Sequence, residues 1–195
     1  MKKPTKNELT VTLVVTVLVF LFNIIPNLIG DLHLWPMFFG SVFFFLLAHG
    51  DIKKIPYILT SGVVGILLTG LMYLGIGALT PVVGSPYATW ICLGIVLVVV
   101  IIGGTALPFA LNSIAFGFIV MTSAELSAGM KIAALSNAAS YNIMAHCLEW
   151  ILYLVIGGGI MCLICGGVMT GMKNALTKKA LKKAAENVPP QDAVK

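Results

Sequence analysis

Long apolar stretches separated by short polar connectors dominate this chain and predict membrane-spanning helices. A helix needs about 20 mostly apolar residues to cross the hydrocarbon core of a bilayer. Six stretches approach that length, at about 9–30, 34–49, 56–79, 89–103, 105–123 and 150–172. The second stretch is rich in Phe and short for a full crossing, and Trp35 near its start is the kind of residue that anchors a helix at the membrane interface. The pattern therefore predicts an all-α, polytopic transmembrane helical bundle of about six membrane segments.

An interruption near Pro108 is the first candidate for chemistry. Gly103, Gly104 and Pro108 break an otherwise continuous apolar stretch, and broken helices persist in membranes where protein or a water-filled cavity meets the freed backbone groups. One interpretation is a broken or re-entrant segment that lines a path for a small polar solute. The other is a plain turn between the fourth and fifth spans, in which Asn112 joins two helices. Under the first interpretation the narrow part of the path consists of Thr105, Pro108, Phe109, Asn112 and Ser113.

The stretch from 125 to 149 is the second candidate, because it is the most polar part of the chain before the tail. On a helix, Asn142, His146 and Glu149 share one face, with Tyr141 beside them. These four residues predict either a vestibule for a solute or the water-facing side of an interfacial helix. Whether 132–148 enters the membrane is left open by the sequence.

Composition and charge narrow the class of protein. Of the 195 residues 59% are hydrophobic, and the mean hydropathy is +1.03, which leaves no room for a large soluble domain. The net charge is +5, but the lysines flank apolar stretches, so they indicate membrane topology and contact with anionic lipid and not nucleic-acid binding. Lysines at the N-terminus, at Lys53 and Lys54, and in the tail predict that both termini are cytoplasmic. An even number of crossings satisfies that orientation.

The same pattern divides the chain into three parts. We predict a cytoplasmic N-terminus at 1–8, a transmembrane domain at 9–172, and a basic cytoplasmic tail at 173–195 with a disordered end. Glycines in the third span, at Gly62, Gly65 and Gly70, and the Gly167-x-x-x-Gly171 pattern allow close helix packing. Packing inside the bundle is one interpretation, and a surface for self-association is the other.

Several residue patterns bear on catalysis. No nucleophile–base set, nucleotide-binding glycine pattern or set of metal ligands emerges from the sequence, so an enzyme, a cofactor and a metal are not predicted.

The leading hypothesis is a channel or facilitator for a small polar solute, in a homo-oligomer. The absence of charge around Pro108 favours a neutral or weakly charged solute. The alternatives are a substrate-binding membrane subunit of an importer and a structural membrane protein without transport.

Two resemblances add to these expectations. The order of features resembles the DUF1097 family of small bacterial inner-membrane proteins, through Trp35-Pro36-Met37-Phe38-Phe39-Gly40, the connector 50–54, Ser61-Gly62-Val63-Val64-Gly65, the break at Pro108, and Met172-Lys173-Asn174. This resemblance implies a multi-pass protein of the bacterial inner membrane and carries no activity with it. Thr105-Ala106-Leu107-Pro108-Phe109 resembles a segment of urea-transporter repeats, which implies a urea-like or amide-like solute. The substrate-binding alternative resembles the S-components of vitamin importers.

Overall fold

The computed structural model of the protein describes residues 6–29, 34–135 and 141–186, with side chains at 10–21, 24, 34–134 and 141–182. All regular elements in these ranges are helical, which confirms the predicted all-α class. The helices are α1 (Lys6–Ile29), α2 (Trp35–Leu46), a 3-10 turn (Ile52–Lys54), α3 (Ile55–Val83), α4 (Ser85–Ala106), α5 (Ser113–Leu135), α6 (Ile143–Leu152), a π-helical segment (Tyr153–Gly158) and α7 (Gly159–Glu186). The last three form one rod.

The lengths of the helices identify a membrane protein. Within the described ranges, four rods are long and apolar enough to cross a bilayer, and they span Ile52–Val83, Ser85–Ala106, Ser113–Ala134 and Ile143–Lys182. Two shorter apolar helices, Thr10–Leu21 and Trp35–Leu46, complete the set of six. Large apolar side chains such as Leu13, Leu71 and Ile101 face outward. Such a surface is suited to lipid tails and not to water.

Helix α3 lies at the centre of the bundle, where it packs against α4, α5 and α6. Its glycines make these contacts close. A Cβ atom built at Gly65 would lie 2.5 Å from the carbonyl oxygen of Ala115 in α5, and one at Gly62 would lie 2.9 Å from the ring of Phe118. The interpretation that these glycines serve packing inside the bundle is therefore confirmed.

Helix α2 begins inside the bundle. Its 12 residues make a helix about 18 Å long, well short of a hydrocarbon core of about 30 Å. Trp35, its first residue, packs against Phe118 of α5 and Trp150 of α6, and α5 continues beyond Phe118 to Leu135. The expectation that Trp35 is an interfacial anchor is therefore wrong. It lies within the protein because α2 is a partial crossing.

The turn between the third and fourth spans is much shorter than the connector predicted at 80–88. Helix α3 continues through Pro81 to Val83, and α4 begins at Ser85 with Pro86 in its first turn. Gly84 reverses the chain with a φ of +83°, a value that favours glycine. Pro86 fits the start of α4 because proline is well tolerated in the first turn of a helix, where no partner for its nitrogen is needed, whereas Pro81 lies inside α3 near its end.

The boundaries near Pro108 also differ from the prediction. Gly103 and Gly104 belong to α4, and α5 begins at Ser113 and extends to Leu135, well past the predicted end at 123. The two glycines do not break the helix. They let the following turn fold back on it, since a Cβ atom at Gly104 would lie 2.8 Å from the carbonyl oxygen of Leu111.

The predicted basic tail begins as helix. Helix α7 runs without a break through Lys173 to Glu186. Residues 187–195, for which a disordered end was predicted, lie outside the described residues, as do 1–5 and 136–140 of the polar stretch.

Candidate solute site

The turn at Pro108 joins two long helices, as in the second of the two interpretations of this segment. Asn112 precedes α5, and its Oδ1 accepts hydrogen bonds from the backbone N–H groups of Ile114 (2.8 Å) and Ala115 (3.3 Å). These are two of the N–H groups that have no partner within the helix itself. Asn112 is therefore the residue that caps α5.

The other half of the Asn112 side chain ties the turn to α3. Its Nδ2 donates to the carbonyl oxygen of Pro108 (2.9 Å) and to Oγ of Ser61 (2.7 Å). Ser61 Oγ also lies 3.1 Å from the carbonyl oxygen of Phe109. Two donors and two acceptor positions of the amide are thus all used by the protein. A direct role of Asn112 in binding solute stays a prediction, and it requires these bonds to open.

The remaining residues predicted near Pro108 do not gather around Asn112. Thr105 donates its hydroxyl to the carbonyl oxygen of Ile102. Thr105, Pro108 and Ser113 are exposed, as is Phe109, whose side chain keeps 53% of its surface accessible. In a single chain these side chains lie on the outer surface of the bundle.

The predicted vestibule is brought together at the start of α6. The rings of Tyr141 and His146 are stacked with centroids 4.4 Å apart, and His146 Nδ1 lies 3.5 Å from Glu149 Oε2. The hydroxyl of Tyr153 donates to Glu149 Oε1 at 2.9 Å. Asn142 has a different role, because its Oδ1 accepts from the backbone N–H of Ala145 and caps α6.

Tyr141 stays protonated in this vestibule. Burial raises the pKa of Tyr141, and its neighbours Cys147, Glu125 and Glu149 raise that pKa further. The phenol therefore remains a neutral hydrogen-bond donor and acceptor at physiological pH. Tyr141 itself therefore adds no charge to this cluster.

A line of aromatic rings leads from the vestibule into the bundle. The ring of His146 lies 6.0 Å from that of Trp150, and Trp150 makes an edge contact with Trp35 at 5.3 Å. Trp35 in turn lies 6.2 Å from Phe118. The line ends at the beginning of α2, where the first backbone N–H groups of that helix also lie.

Two indole N–H groups on this line have no hydrogen-bond partner among the residues that the structure describes. Trp35 Nε1 and Trp150 Nε1 are both buried without one, and so is Oγ1 of Thr122, one helical turn beyond Phe118 on α5. A buried donor left unpaired costs about 1–3 kcal/mol. We define the tryptophan pair as Trp35 and Trp150. Within the described residues, both of its donors remain available to a hydrogen-bond acceptor.

Sequence reasoning missed the tryptophan pair, Thr122 and Ser61. A Trp that is tilted into a bundle and one that lies at a membrane interface look alike in a sequence. The only available signal was the short length of the second stretch, which left too few residues for Trp35 to reach the membrane surface.

Metal ligation has no support within the described ranges, where no three His, Cys, Asp or Glu side chains are grouped to hold an ion. Cys162 and Cys165 are free and buried. The chain matches no family model, no curated protein and no solved structure.

Proposed function

We propose that this membrane protein is a facilitator for a small, neutral, polar solute. The solute enters at the vestibule of Tyr141, His146 and Glu149 and reaches the tryptophan pair. The observation that carries this proposal is the presence of two buried indole N–H groups, without a partner in the described part of the chain, on an aromatic line that begins at a cluster of polar side chains.

The chemistry of the tryptophan pair defines the class of solute. Indole N–H groups only donate, so they select a molecule with an acceptor such as a carbonyl oxygen. The N-terminus of α2 adds a partial positive potential that also favours an acceptor. The side chains of the pair, Phe118 and Thr122 are uncharged, so a fully charged solute would find no partner for its charge there. Urea and simple amides meet these requirements.

Replacing Trp150 with Phe tests the proposal, because it removes the N–H group and keeps an aromatic ring. The matched control is Trp90→Phe, since Trp90 is 71% exposed on the outer surface of the chain. The measurement is re-swelling of proteoliposomes in stopped-flow light scattering with urea or acetamide. We expect Trp150→Phe to lower the flux roughly three- to tenfold, as for one lost hydrogen bond, and Trp90→Phe to leave it unchanged.

Binding is measured separately by fluorescence. In the Trp90→Phe variant only Trp35 and Trp150 emit, because the chain has three tryptophans. A solute that accepts from these N–H groups shifts their emission to longer wavelength in a saturable way. Equal flux through Trp150→Phe and the control, together with no shift, would overturn the proposal.

A second candidate, a substrate-binding subunit of an importer, is favoured by the turn at Pro108. There the bonds of Asn112 to Ser61 and Pro108 fasten the segment that would otherwise line an exit. A subunit of this kind binds solute and does not release it across the bilayer alone. A saturable fluorescence shift without flux would identify this function.

The wider setting of the protein is part of the same proposal. The resemblance supports membership in DUF1097, and the lysine pattern supports a place in the bacterial inner membrane. The exposed glycines of α7 support a homo-oligomeric state. No atom of the described chain comes within 4 Å of a Cβ atom built at Gly167 or Gly171. That face of α7 therefore has room for another helix.

A further inference from the structure

An apolar groove lies on the outside of the bundle between α1, α2 and α7. It encloses a volume of about 930 Å³ and is lined mainly by aliphatic and aromatic side chains, among them Val15, Phe20 and Val42. This volume lies in the range of pockets that hold small organic molecules. None of the residues that line the groove belongs to α5 or to the tryptophan pair, so the groove is separate from that pair.

Thr12 and Thr16 of α1 line the groove, and so do three polar residues from α7 and from the turn after α2. These three are His49, Lys173 and Thr177. These residues belong to the end of the bundle that also carries Lys53 and Lys54, because the turn after α2 packs on α7: a Cβ atom built at Gly166 would lie 2.8 Å from Ile52. The groove thus combines an apolar body with a basic end.

Charge continues from this end along α7. Lys178 and Lys179 follow Lys173 on the same helix, and none of the residues that line the groove is acidic. Lys173 forms no ion pair with any residue in the described part of the chain. Basic pockets between membrane helices are suited to anionic lipid head groups, with about 1 kcal/mol for each Lys near the surface.

We propose that the groove is a binding site for an anionic phospholipid. One acyl chain lies along Val15 and Val42, and the phosphate of the head group is held by Lys173 beside His49 and Thr177. The apolar surface that the acyl chain buries in the groove provides affinity, and Lys173 provides the preference for a negative head group. This site is independent of solute binding at the tryptophan pair.

Native mass spectrometry of the full-length protein, in detergent with equal amounts of phosphatidylglycerol and phosphatidylcholine, tests both parts of the site. Lys173→Gln should lower the ratio of bound phosphatidylglycerol to phosphatidylcholine about fivefold, the effect of one basic residue. The control Lys179→Gln, on the same helix but outside the groove lining, should change that ratio much less.

The acyl-chain part is tested by filling the groove. Thr16 lines the groove and is exposed, so Thr16→Trp should reduce the binding of both lipids without disturbing the core. Val17→Trp is the matched control, because Val17 is exposed on the same helix and does not line the groove. It should leave lipid binding unchanged.

Three results would overturn the proposal. If Lys173→Gln and Lys179→Gln lowered the ratio of bound phosphatidylglycerol to phosphatidylcholine equally, the preference for the anionic lipid would come from diffuse charge on α7. Undiminished lipid binding in Thr16→Trp would place the lipid elsewhere. A change in oligomeric state in Thr16→Trp, with lipid binding intact, would make the groove an interface between copies of the chain.

Discussion

At the scale of single residues, the amide of Asn112 and the hydroxyl of Ser61 hold three parts of the chain together. Asn112 caps α5, bonds the carbonyl oxygen of Pro108 and reaches Ser61 on α3. Hydrogen bonds between helices contribute modestly in membranes, about 0.6 kcal/mol on average. The value is higher where removing one partner leaves several buried polar groups unpaired.

Ser61→Ala is therefore expected to destabilise the fold. It removes the acceptor of Asn112 Nδ2 and the hydroxyl beside the carbonyl oxygen of Phe109, for a loss of about 1–2 kcal/mol in the free energy of unfolding. The control is Thr80→Val, since the hydroxyl of Thr80 bonds only Ile76 of its own helix. Unfolding is followed in detergent by circular dichroism. Equal stability of the two variants would show that the link to α3 contributes nothing measurable.

At the scale of elements, α3 and α5 approach so closely that only glycine fits at their crossing. Next to Gly65 the obstacle is the backbone of Ala115, and a main-chain carbonyl cannot rotate away as a flexible side chain does. Gly77, on the same helix, has no neighbour within 4 Å of a built Cβ atom. Gly65 and Gly77 therefore have different roles, although both are glycines inside the same helix.

This difference predicts opposite effects of the same substitution. Gly65→Ala should force α3 and α5 apart and lower the free energy of unfolding by about 1–3 kcal/mol, as overpacking does. Gly77→Ala should leave stability unchanged or raise it by up to about 1 kcal/mol, because Ala favours the helix. Thermal unfolding in detergent compares the two. A Gly65→Ala protein as stable as Gly77→Ala would contradict this account of the crossing.

At the scale of the whole molecule, the helices alternate in direction and place their connectors at two opposite ends. The turn with Lys53 and Lys54, the turn at Pro108 and the basic part of α7 share one end. Gly84 and Tyr141 lie at the other, as shown by the packing of Gly129 against Tyr141 and of Gly75 against Cys92. The positive-inside rule predicts that the first end is cytoplasmic.

Cysteine labelling tests this orientation. The four native cysteines are buried, so they give little background with a membrane-impermeant maleimide. In intact spheroplasts, Ser85→Cys should be labelled and Lys178→Cys should react only after lysis, because the two positions lie on opposite sides of the membrane. Labelling of Lys178→Cys in intact cells would reverse the orientation and place the vestibule in the cytoplasm.

The fold class could be predicted from the sequence because a span that is surrounded by lipid requires apolar side chains along its whole length. The continuous apolar stretch 56–79 predicted α3 close to where it occurs, whereas the stretch 150–172 predicted only the middle of a rod that runs from Ile143 to Glu186. The polar cluster at the start of α6 was partly predictable for a similar reason, since Asn142, His146 and Glu149 are close in sequence and share a helix face. The end of α5 was missed because the apolar stretch ends at 123, where the polar stretch begins, while the helix continues to Leu135.

What the sequence by itself determined is a helical membrane protein, the approximate positions of its spans and the basic character of one end, because hydropathy, helix length and charge are local properties. What only the tertiary structure decided is which residues meet across helices. Trp35 and Trp150 are more than a hundred positions apart, and so are Gly40 and Cys162, whose contact fixes α2 against α7. Every outer face of the bundle is equally apolar, so hydropathy does not determine which residues of different helices come into contact. The packing between helices determines these contacts, and packing depends on shape.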